Sequence, residues 1–148
     1  APSPPAAETA ALFRLARVLA DADLGCTDGS LLSDASFACT SADDPPLDKE
    51  DYLAALRFFD LRRALPDLDL RPHDFRAGPS PRTVRFHTRA VGTLRGPLRL
   101  RDGSVPPNGR VARFPPECVT VEYDTGGRVV GLEVRVVDRL CGTTGGLR

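Results

Sequence analysis

The sequence predicts an α+β fold in which N-terminal helices pack against one curved antiparallel sheet. Two segments within the first 65 residues repeat apolar side chains every three or four positions, the period of an amphipathic helix. Beyond Pro66 the period changes to two, which is the period of a strand with one buried face. Because helices come first and strands afterwards, we expect the helices to cover the apolar face of the sheet.

The two predicted helices begin next to typical capping residues. The first runs from about Ala6 to Asp23, and the second runs from its N-cap Asp48 to about Leu65, where Pro66 ends it. Between them, a short strand or a tight helical turn is predicted around Phe37. The expected core side chains are Leu12, Phe13, Ala16, Leu19 and Ala20 in the first helix, and Leu53, Leu56, Ala64 and either Phe58 or Phe59 in the second.

Four strands are predicted beyond Pro66. The first, 68–75, contains Pro72 and is placed at a sheet edge, because proline cannot donate to a neighbouring strand. The others are 82–94, then 110–123 with a bulge at its two prolines, and a last strand that ends near Val137. A Pro- and Gly-rich loop, 96–109, and a hairpin turn, 124–127, connect them. Strand parity turns Val84, Phe86, Thr88, Ala90, Val130, Leu132, Val134 and Val136 inward and Arg85, His87, Arg89, Glu133 and Arg135 outward.

Composition limits the classes of function. The 148 residues suit a single domain, 1–148, with residues 1–5 as a flexible Pro-rich arm. Basic and acidic residues both number 20, so the formal net charge is zero and no field attracts nucleic acid. No apolar run approaches the roughly 20 residues that a membrane-spanning helix needs. We therefore expect neither a nucleic-acid-binding nor a membrane-spanning protein.

The cysteines and the N-terminus bear on the cellular compartment. Cys26 and Cys39 flank a loop-rich stretch and either form a disulfide in an oxidising compartment or stay free thiols. The spacing of the four cysteines lacks any pattern typical of a zinc site. The sequence has no methionine and starts Ala1-Pro2-Ser3-Pro4-Pro5, which suits either a processed end after organelle import or export, or a trimmed chain.

Motifs between Asp48 and Leu140 follow one another in the order and spacing of a known group. They are Asp48-Lys49-Glu50-Asp51-Tyr52-Leu53, Ala64-Leu65-Pro66-Asp67-Leu68, Val84-Arg85-Phe86, Gly92-Thr93-Leu94-Arg95-Gly96-Pro97, Val105-Pro106-Pro107-Asn108-Gly109-Arg110, Asp124-Thr125-Gly126-Gly127 and Asp138-Arg139-Leu140. The chain resembles the SnoaL-like polyketide cyclase group of the nuclear-transport-factor-2-like superfamily. The resemblance implies a cone-shaped domain with a pocket between helices and sheet, commonly paired as a dimer through the outer sheet face. It also implies that catalytic members use a pocket Asp or His as general acid/base beside a carbonyl.

Three residues are candidates for that acid/base role. Asp138 has the parity of Val134 and Val136, which places it on the apolar face at the end of the last strand. The alternative for Asp138 is a structural carboxylate that bonds to backbone N–H groups or to an arginine. His73 and Asp74 project to opposite faces of a regular edge strand, so one of them is a candidate to line the pocket.

A second set of residues is expected to contact a partner. Arg85, His87 and Arg89 share the outer sheet face, and Arg95, Arg99 and Arg101 form a basic cluster near the Pro- and Gly-rich loop. The expected partner is another protein or a second copy of the chain, and an apolar small molecule is also compatible with the pocket. No phosphate-binding glycine loop or metal-ligand cluster is visible, so no cofactor is predicted.

The last strand carries Val134, Val136 and Val137 where active relatives often place acidic and aromatic residues. For this reason the favoured hypothesis is a non-catalytic or catalytically reduced SnoaL-like binding or assembly subunit of a larger complex. A photosynthetic complex of the chloroplast is one example. The alternative is a small cyclase or isomerase in which a pocket Asp or His acts on an apolar carbonyl compound. A third hypothesis is a carrier of an apolar small molecule.

Overall fold

A computed structural model describes residues 6–41 and 44–137. Three helices and nine strands are assigned in this part of the chain. The helices are α1 (Ala6–Asp21), α2 (Lys49–Phe59) and α3 (Leu61–Ala64), and a short 3₁₀ turn spans Gly29–Leu31. The strands are β1 (Ala38–Thr40), β2 (His73–Ala77), β3 (Thr83–Thr88), β4 (Val91–Thr93), β5 (Leu98–Leu100), β6 (Gly103–Val105), β7 (Val111–Arg113), β8 (Glu117–Tyr123) and β9 (Val129–Val136).

The main sheet has five strands in the order β1-β9-β8-β3-β2. Its neighbours are antiparallel except for β1, which pairs with β9 in parallel. The parallel pair adds a mixed edge to the sheet that the sequence predicts as antiparallel. Two smaller antiparallel pairs, β4 with β7 and β5 with β6, extend the structure beyond the main sheet. Strand β2 lies at the opposite edge, as the proline before it predicts.

The helices cover the face of the sheet that carries the apolar side chains, which confirms the predicted α+β arrangement. Helix α1 packs across β3 and β2, and α2 packs against β1 and β5. One core cluster joins Leu12, Ala16, Leu19, Ala20, Leu32, Phe37, Tyr52, Val84, Phe86, Val119, Val121, Tyr123, Val129 and Leu132, with Leu53 and Leu56 packed against it. A second cluster joins Ala64, Leu65, Leu68, Ala90, Leu94, Leu98, Val105 and Ala112.

The second predicted helix is interrupted, which corrects the prediction of one continuous helix. Asp60 adopts a left-handed conformation with φ of 47° and ends α2, and its N–H donates to the carbonyl of Leu56. Asp tolerates this conformation better than most residues. On α2, Tyr52 is buried, Phe59 is partly buried and Phe58 is half exposed. Phe59 rather than Phe58 therefore belongs to the apolar side of the helix that faces the core.

The predicted strands differ from the observed ones at their bends. The segment predicted as one strand, 82–94, leaves the main sheet after Thr88 and continues as β4 in another sheet. The predicted loop 96–109 contains the β5–β6 hairpin, and the third strand is divided into β7 and β8 on either side of its two prolines. A register shift opposite Tyr123 makes Val129, rather than Val130, the buried residue at the start of β9.

Two buried tyrosines give a matched test of the core. The Tyr52 hydroxyl donates to the carbonyl of Leu24 at 2.7 Å, whereas no described residue hydrogen-bonds to the buried Tyr123 hydroxyl. A buried hydroxyl without a partner keeps its desolvation cost. We expect Tyr52→Phe to lower the free energy of unfolding by about 1 kcal/mol and Tyr123→Phe to raise it by a similar amount. Urea denaturation of both variants checks the opposite signs, and equal losses would contradict the prediction.

Candidate functional site

The inner face of the main sheet presents three successive rows of side chains. The residues of each row are partners in the strand register. The first row contains Val84, Val121, Leu132 and Cys39, the second contains Phe86, Val119 and Val134, and the third contains Thr88, Glu117 and Val136. The first two rows are apolar apart from the Cys39 thiol and lie largely in the core. The third row contains a carboxyl group, so the polar chemistry of this face is concentrated at one end of the sheet.

Glu117 is the carboxyl group of that third row. It begins β8, shares the inward parity of Val119 and Val121, and is partly buried. Its register partners are Thr88, which is buried, and Val136. No described residue hydrogen-bonds or ion-pairs with the Glu117 carboxyl. Burial raises its pKa above the ordinary glutamate value, because the apolar surroundings disfavour the charged form.

A cleft of about 530 Å³ lies between α2, the end of β1 and the β5–β6 hairpin. Its lining is mostly apolar, and its rim carries the ion pair of Arg101 with Asp44, in which Nη2 and Oδ2 are 2.8 Å apart. The lining residues are Cys39, Ser41, Asp44, Pro45, Leu47, Ala55, Phe58, Phe59 and Arg101. Cys39 also belongs to the first row of the inner face, so the cleft lies on the same side of the sheet as Glu117, which is two rows away and is not among the lining residues. A cleft of this size is large enough for a small organic ligand.

The other ionisable groups of this face do not suit proton transfer near neutral pH. Burial raises the pKa of the Cys39 thiol to about 11, so the reactive thiolate is scarce. Burial also raises the pKa values of Tyr52 and Tyr123 above the ordinary tyrosine value, so both hydroxyls stay protonated. Among the described residues on this face, Glu117 is therefore the acid/base candidate.

The structure brings His73 and Asp74 together on the outer face. Asp74 has φ of 60°, and the register shifts between His73 and Arg76, so β2 contains a bulge. Phe75 stays inward and stacks on Phe86, with ring centroids 5.0 Å apart. The regular alternation expected of this strand is therefore interrupted, and neither His73 nor Asp74 lines the inner face. Both are exposed, and Asp74 Oδ2 lies 3.3 Å from Nδ1 of His87.

Asp138 lies outside the described residues. Val136, two residues before it, pairs with Glu117 across β9 and β8. The parity argument for Asp138 therefore directs attention to the same end of the sheet at which Glu117 is found. Its role as a second acid/base group stays a prediction.

The residues predicted to contact a partner fall on two separate surfaces. Arg85 and His87 lie on the outer face of β3, and Arg85 donates to the hydroxyl of Thr120. Arg99 donates to the carbonyl of Phe58 and lies over the Phe58 ring, while Arg101 pairs with Asp44. Arg95 is exposed, and the Arg89 N–H donates to the carbonyl of Leu70. Partner binding and the dimer through the outer face stay predictions.

The cysteines are candidates for a disulfide, and the acidic, histidine and cysteine side chains are the potential metal ligands. Cys26, Cys39 and Cys118 are free thiols, so the disulfide alternative between Cys26 and Cys39 is not realised. Within 6–41 and 44–137, no group of three or more His, Cys, Asp or Glu side chains is arranged to hold a metal ion. None of the helices in this part of the chain combines the length and apolar character needed to cross a bilayer.

The sequence predictions do not include Glu117. Its parity with Val119, Val121 and Tyr123 is visible in the sequence and indicates the buried face. The two prolines before it predict a bulge within one longer strand, which leaves no separate inward position at the start of β8. The sequence feature that indicates such a site is an acidic residue that directly follows a strand break and alternates in step with the apolar residues of the next strand.

The fold is similar to solved proteins with divergent sequences. A protein from Jannaschia sp. CCS1 assigned as a SnoaL-like polyketide cyclase is 16% identical, with a TM-score of 0.65, over 91% of this chain and 90% of its own. AclR from Streptomyces galilaeus, assigned as a hydroxylase, is 19% identical with a TM-score of 0.66, over 90% and 92%. An LEH-like epoxide hydrolase of M. tuberculosis is 15% identical with a TM-score of 0.61, over 95% and 91%. No protein-family model matches the sequence, and no curated protein matches it.

These similarities extend over nine-tenths of this chain or more, at identities that carry the fold alone. They agree with the order of helices, the mixed five-stranded sheet and the inward cluster of apolar residues described above. The chain therefore shares the fold of these proteins, as the resemblance of its ordered motifs to the SnoaL-like group predicts.

Proposed function

We propose that the chain is a small-molecule enzyme of the cyclase or isomerase type, in which Glu117 is the general acid/base for an apolar carbonyl compound. The observation that carries this proposal is a partly buried carboxyl on the apolar face of the sheet without a described hydrogen-bond or ion-pair partner. A structural carboxylate is normally paired, because burying an unpaired charge costs free energy. An acid/base group has to remain accessible to the substrate.

The environment of Glu117 suits proton transfer next to a carbonyl. A pKa raised above the ordinary glutamate value makes a carboxylate a stronger base and keeps its acid form accessible for returning the proton. In the proposed reaction, Glu117 removes a proton from the carbon beside the carbonyl, and an enolate forms. The same carboxyl group then returns the proton to a new position. Thr88, directly opposite on β3, is the candidate hydrogen-bond donor to the enolate oxygen.

The apolar cleft between α2 and β1 supports an organic substrate rather than a highly charged one. Its lining includes Leu47, Phe58 and Phe59, and its charged rim residues, Arg101 and Asp44, already neutralise each other. Apolar walls with a few convergent polar groups are typical of small-molecule sites. We therefore expect the substrate to be a largely hydrophobic ketone or a related carbonyl compound.

The similar solved proteins favour this proposal over a non-catalytic assembly subunit. Their names describe a polyketide cyclase, a hydroxylase and an epoxide hydrolase, which are enzymes of small molecules. None of these three names describes a component of a photosynthetic complex. The hypothesis of a binding or assembly subunit, with a chloroplast complex as one example, therefore has no support from these neighbours.

Proton exchange tests the proposal without knowledge of the natural substrate. A panel of hydrophobic ketones and β-diketones is incubated with the protein in D₂O, and loss of the α-proton signals is followed by NMR. We expect at least one compound to exchange well above its rate with an unrelated protein at the same concentration. Binding of the panel without any added exchange would contradict the acid/base proposal and favour the carrier hypothesis.

A further inference from the structure

The chain contains two histidines, and the structure places them side by side on the outer face of the sheet, away from Glu117. His73 on β2 and His87 on β3 are direct register partners across the antiparallel pair. Their ring centroids are 6.0 Å apart, and the rings are tilted by 31°. His73 is exposed, and 35% of the His87 side chain is accessible, so solvent reaches both rings.

The neighbours of His87 determine which of its ring nitrogens carries the proton. Nδ1 of His87 lies 3.3 Å from Oδ2 of Asp74, while Oδ1 of Asp74 accepts a hydrogen bond from Arg76. An ionised carboxylate attracts a ring N–H and repels a ring lone pair, so Asp74 favours the proton of neutral His87 on Nδ1. Neutral His87 therefore keeps its free lone pair on Nε2.

The same argument applies to His73. Its Nδ1 lies 2.7 Å from the carbonyl oxygen of Arg71, and a carbonyl oxygen can only accept. The proton of neutral His73 is therefore also on Nδ1, and the lone pair is on Nε2. Metal-binding histidines commonly have this arrangement, with one ring nitrogen bonded to a carbonyl or carboxylate and the other free to coordinate.

We propose that His73 and His87 form a two-imidazole site for a divalent transition-metal ion such as Ni²⁺ or Cu²⁺, bound through the two Nε2 atoms. Water fills the remaining coordination positions, so the site needs no third protein ligand. Imidazole nitrogens suit these borderline metals better than they suit Mg²⁺ or Ca²⁺. The site is independent of the acid/base chemistry proposed for Glu117, which lies on the opposite face of the sheet.

The distance between the rings is compatible with a shared ion. A metal–nitrogen distance of about 2.0–2.1 Å puts the ion roughly 3 Å from each ring centre, so the centres lie no more than about 6 Å apart. The observed separation of 6.0 Å is at the upper end of this range. The positive charge of Arg76 is offset by its ion pair with Asp74.

Titration of the full chain with Ni²⁺ tests the site by calorimetry and by NMR of the two imidazoles. We expect a single Ni²⁺ per chain and broadening of both histidine ring signals. We expect His73→Asn and His87→Asn each to weaken binding at least about tenfold, the loss typical even of an outer-shell partner. Both rings are on the surface, so circular dichroism should show the fold unchanged. Unchanged Ni²⁺ binding in both variants would overturn the site.

Three further variants separate this site from other modes of metal binding. Cys118→Ser removes the thiol directly opposite His87 on β8, and Glu133→Gln removes an outer-face carboxylate already paired with Arg135. We expect both to bind Ni²⁺ as the parent chain does, and a tenfold loss in either would overturn the two-imidazole site. Asp74→Asn should weaken binding and release the Nδ1 tautomer of His87, which nitrogen NMR of the ring detects. An unchanged affinity with an unchanged tautomer would contradict the orientation argument.

Discussion

Replacing Glu117 with Gln is expected to lower turnover of an accepted substrate by about 100- to 10,000-fold while the protein stays folded. Gln has the shape of Glu but cannot accept or return a proton at neutral pH, so substrate binding should be retained. Steady-state kinetics should show the loss mainly in kcat. The matched control is Glu122→Gln on the same strand, because Glu122 is exposed and points to the outer face. Equal losses in the two variants, or none in Glu117→Gln, would contradict the role of Glu117.

The same substitution should change stability with a definite dependence on pH. Burial raises the pKa of folded Glu117, so folded protein binds more protons than unfolded protein between the two pKa values. Stability from this group is therefore greatest below the unfolded pKa of about 4.3 and is lost as pH rises through the folded pKa. Glu117→Gln, which lacks the charge, should be more stable than the parent chain at pH 7 and equally stable near pH 4. A gain in stability combined with lost turnover is typical of a functional residue.

The strand pattern of β3 shows how far alternation alone determines structure. Val84, Phe86 and Thr88 are buried, and Arg85 and His87 between them point outward, as their parity predicts. This strand lies inside the sheet, with β8 on one side and the edge strand β2 on the other, and α1 packs on its inner face. A shift of the strand register by one residue would turn the apolar side chains to the outer face and bring charged ones into the core. The register of β3 is therefore strongly determined.

The details that the sequence could not supply depend on irregular backbone and on pairing between distant strands. Alternation assumes a regular strand, and the left-handed Asp74 breaks that assumption, which is why His73 and Asp74 share a face. The meeting of His73 with His87 needs the β2–β3 register, which no local pattern encodes. Glu117 is absent from the sequence predictions for a related reason, because the break at the prolines before β8 resets the alternation of the strand. Both candidate sites therefore lie next to irregularities, where local reasoning is weakest.

Phe86→Ala is expected to lower the free energy of unfolding by about 3–5 kcal/mol. Phe86 is fully buried in the second row of the inner face and stacks on Phe75 of the edge strand, with ring centroids 5.0 Å apart. Truncation removes contacts with α1, β2 and β8 at the same time and leaves a cavity that packed neighbours fill poorly. Domains of this kind are stable by only about 5–15 kcal/mol, so the loss is a large fraction of the total.

Phe58→Ala is the matched control for this loss. Phe58 is half exposed on α2, and its described ring contacts are with Phe59 and the guanidinium of Arg99. A surface cation–π contact contributes up to about 1 kcal/mol, so this variant should lose no more than that. Urea denaturation measures both variants, and similar losses would mean that Phe86 is not at the centre of the core. A further consequence can be tested in Phe86→Ala. Since Phe75 rests on Phe86, the β2 bulge that holds His73 and Asp74 should lose protection from amide exchange before β8 and β9 do.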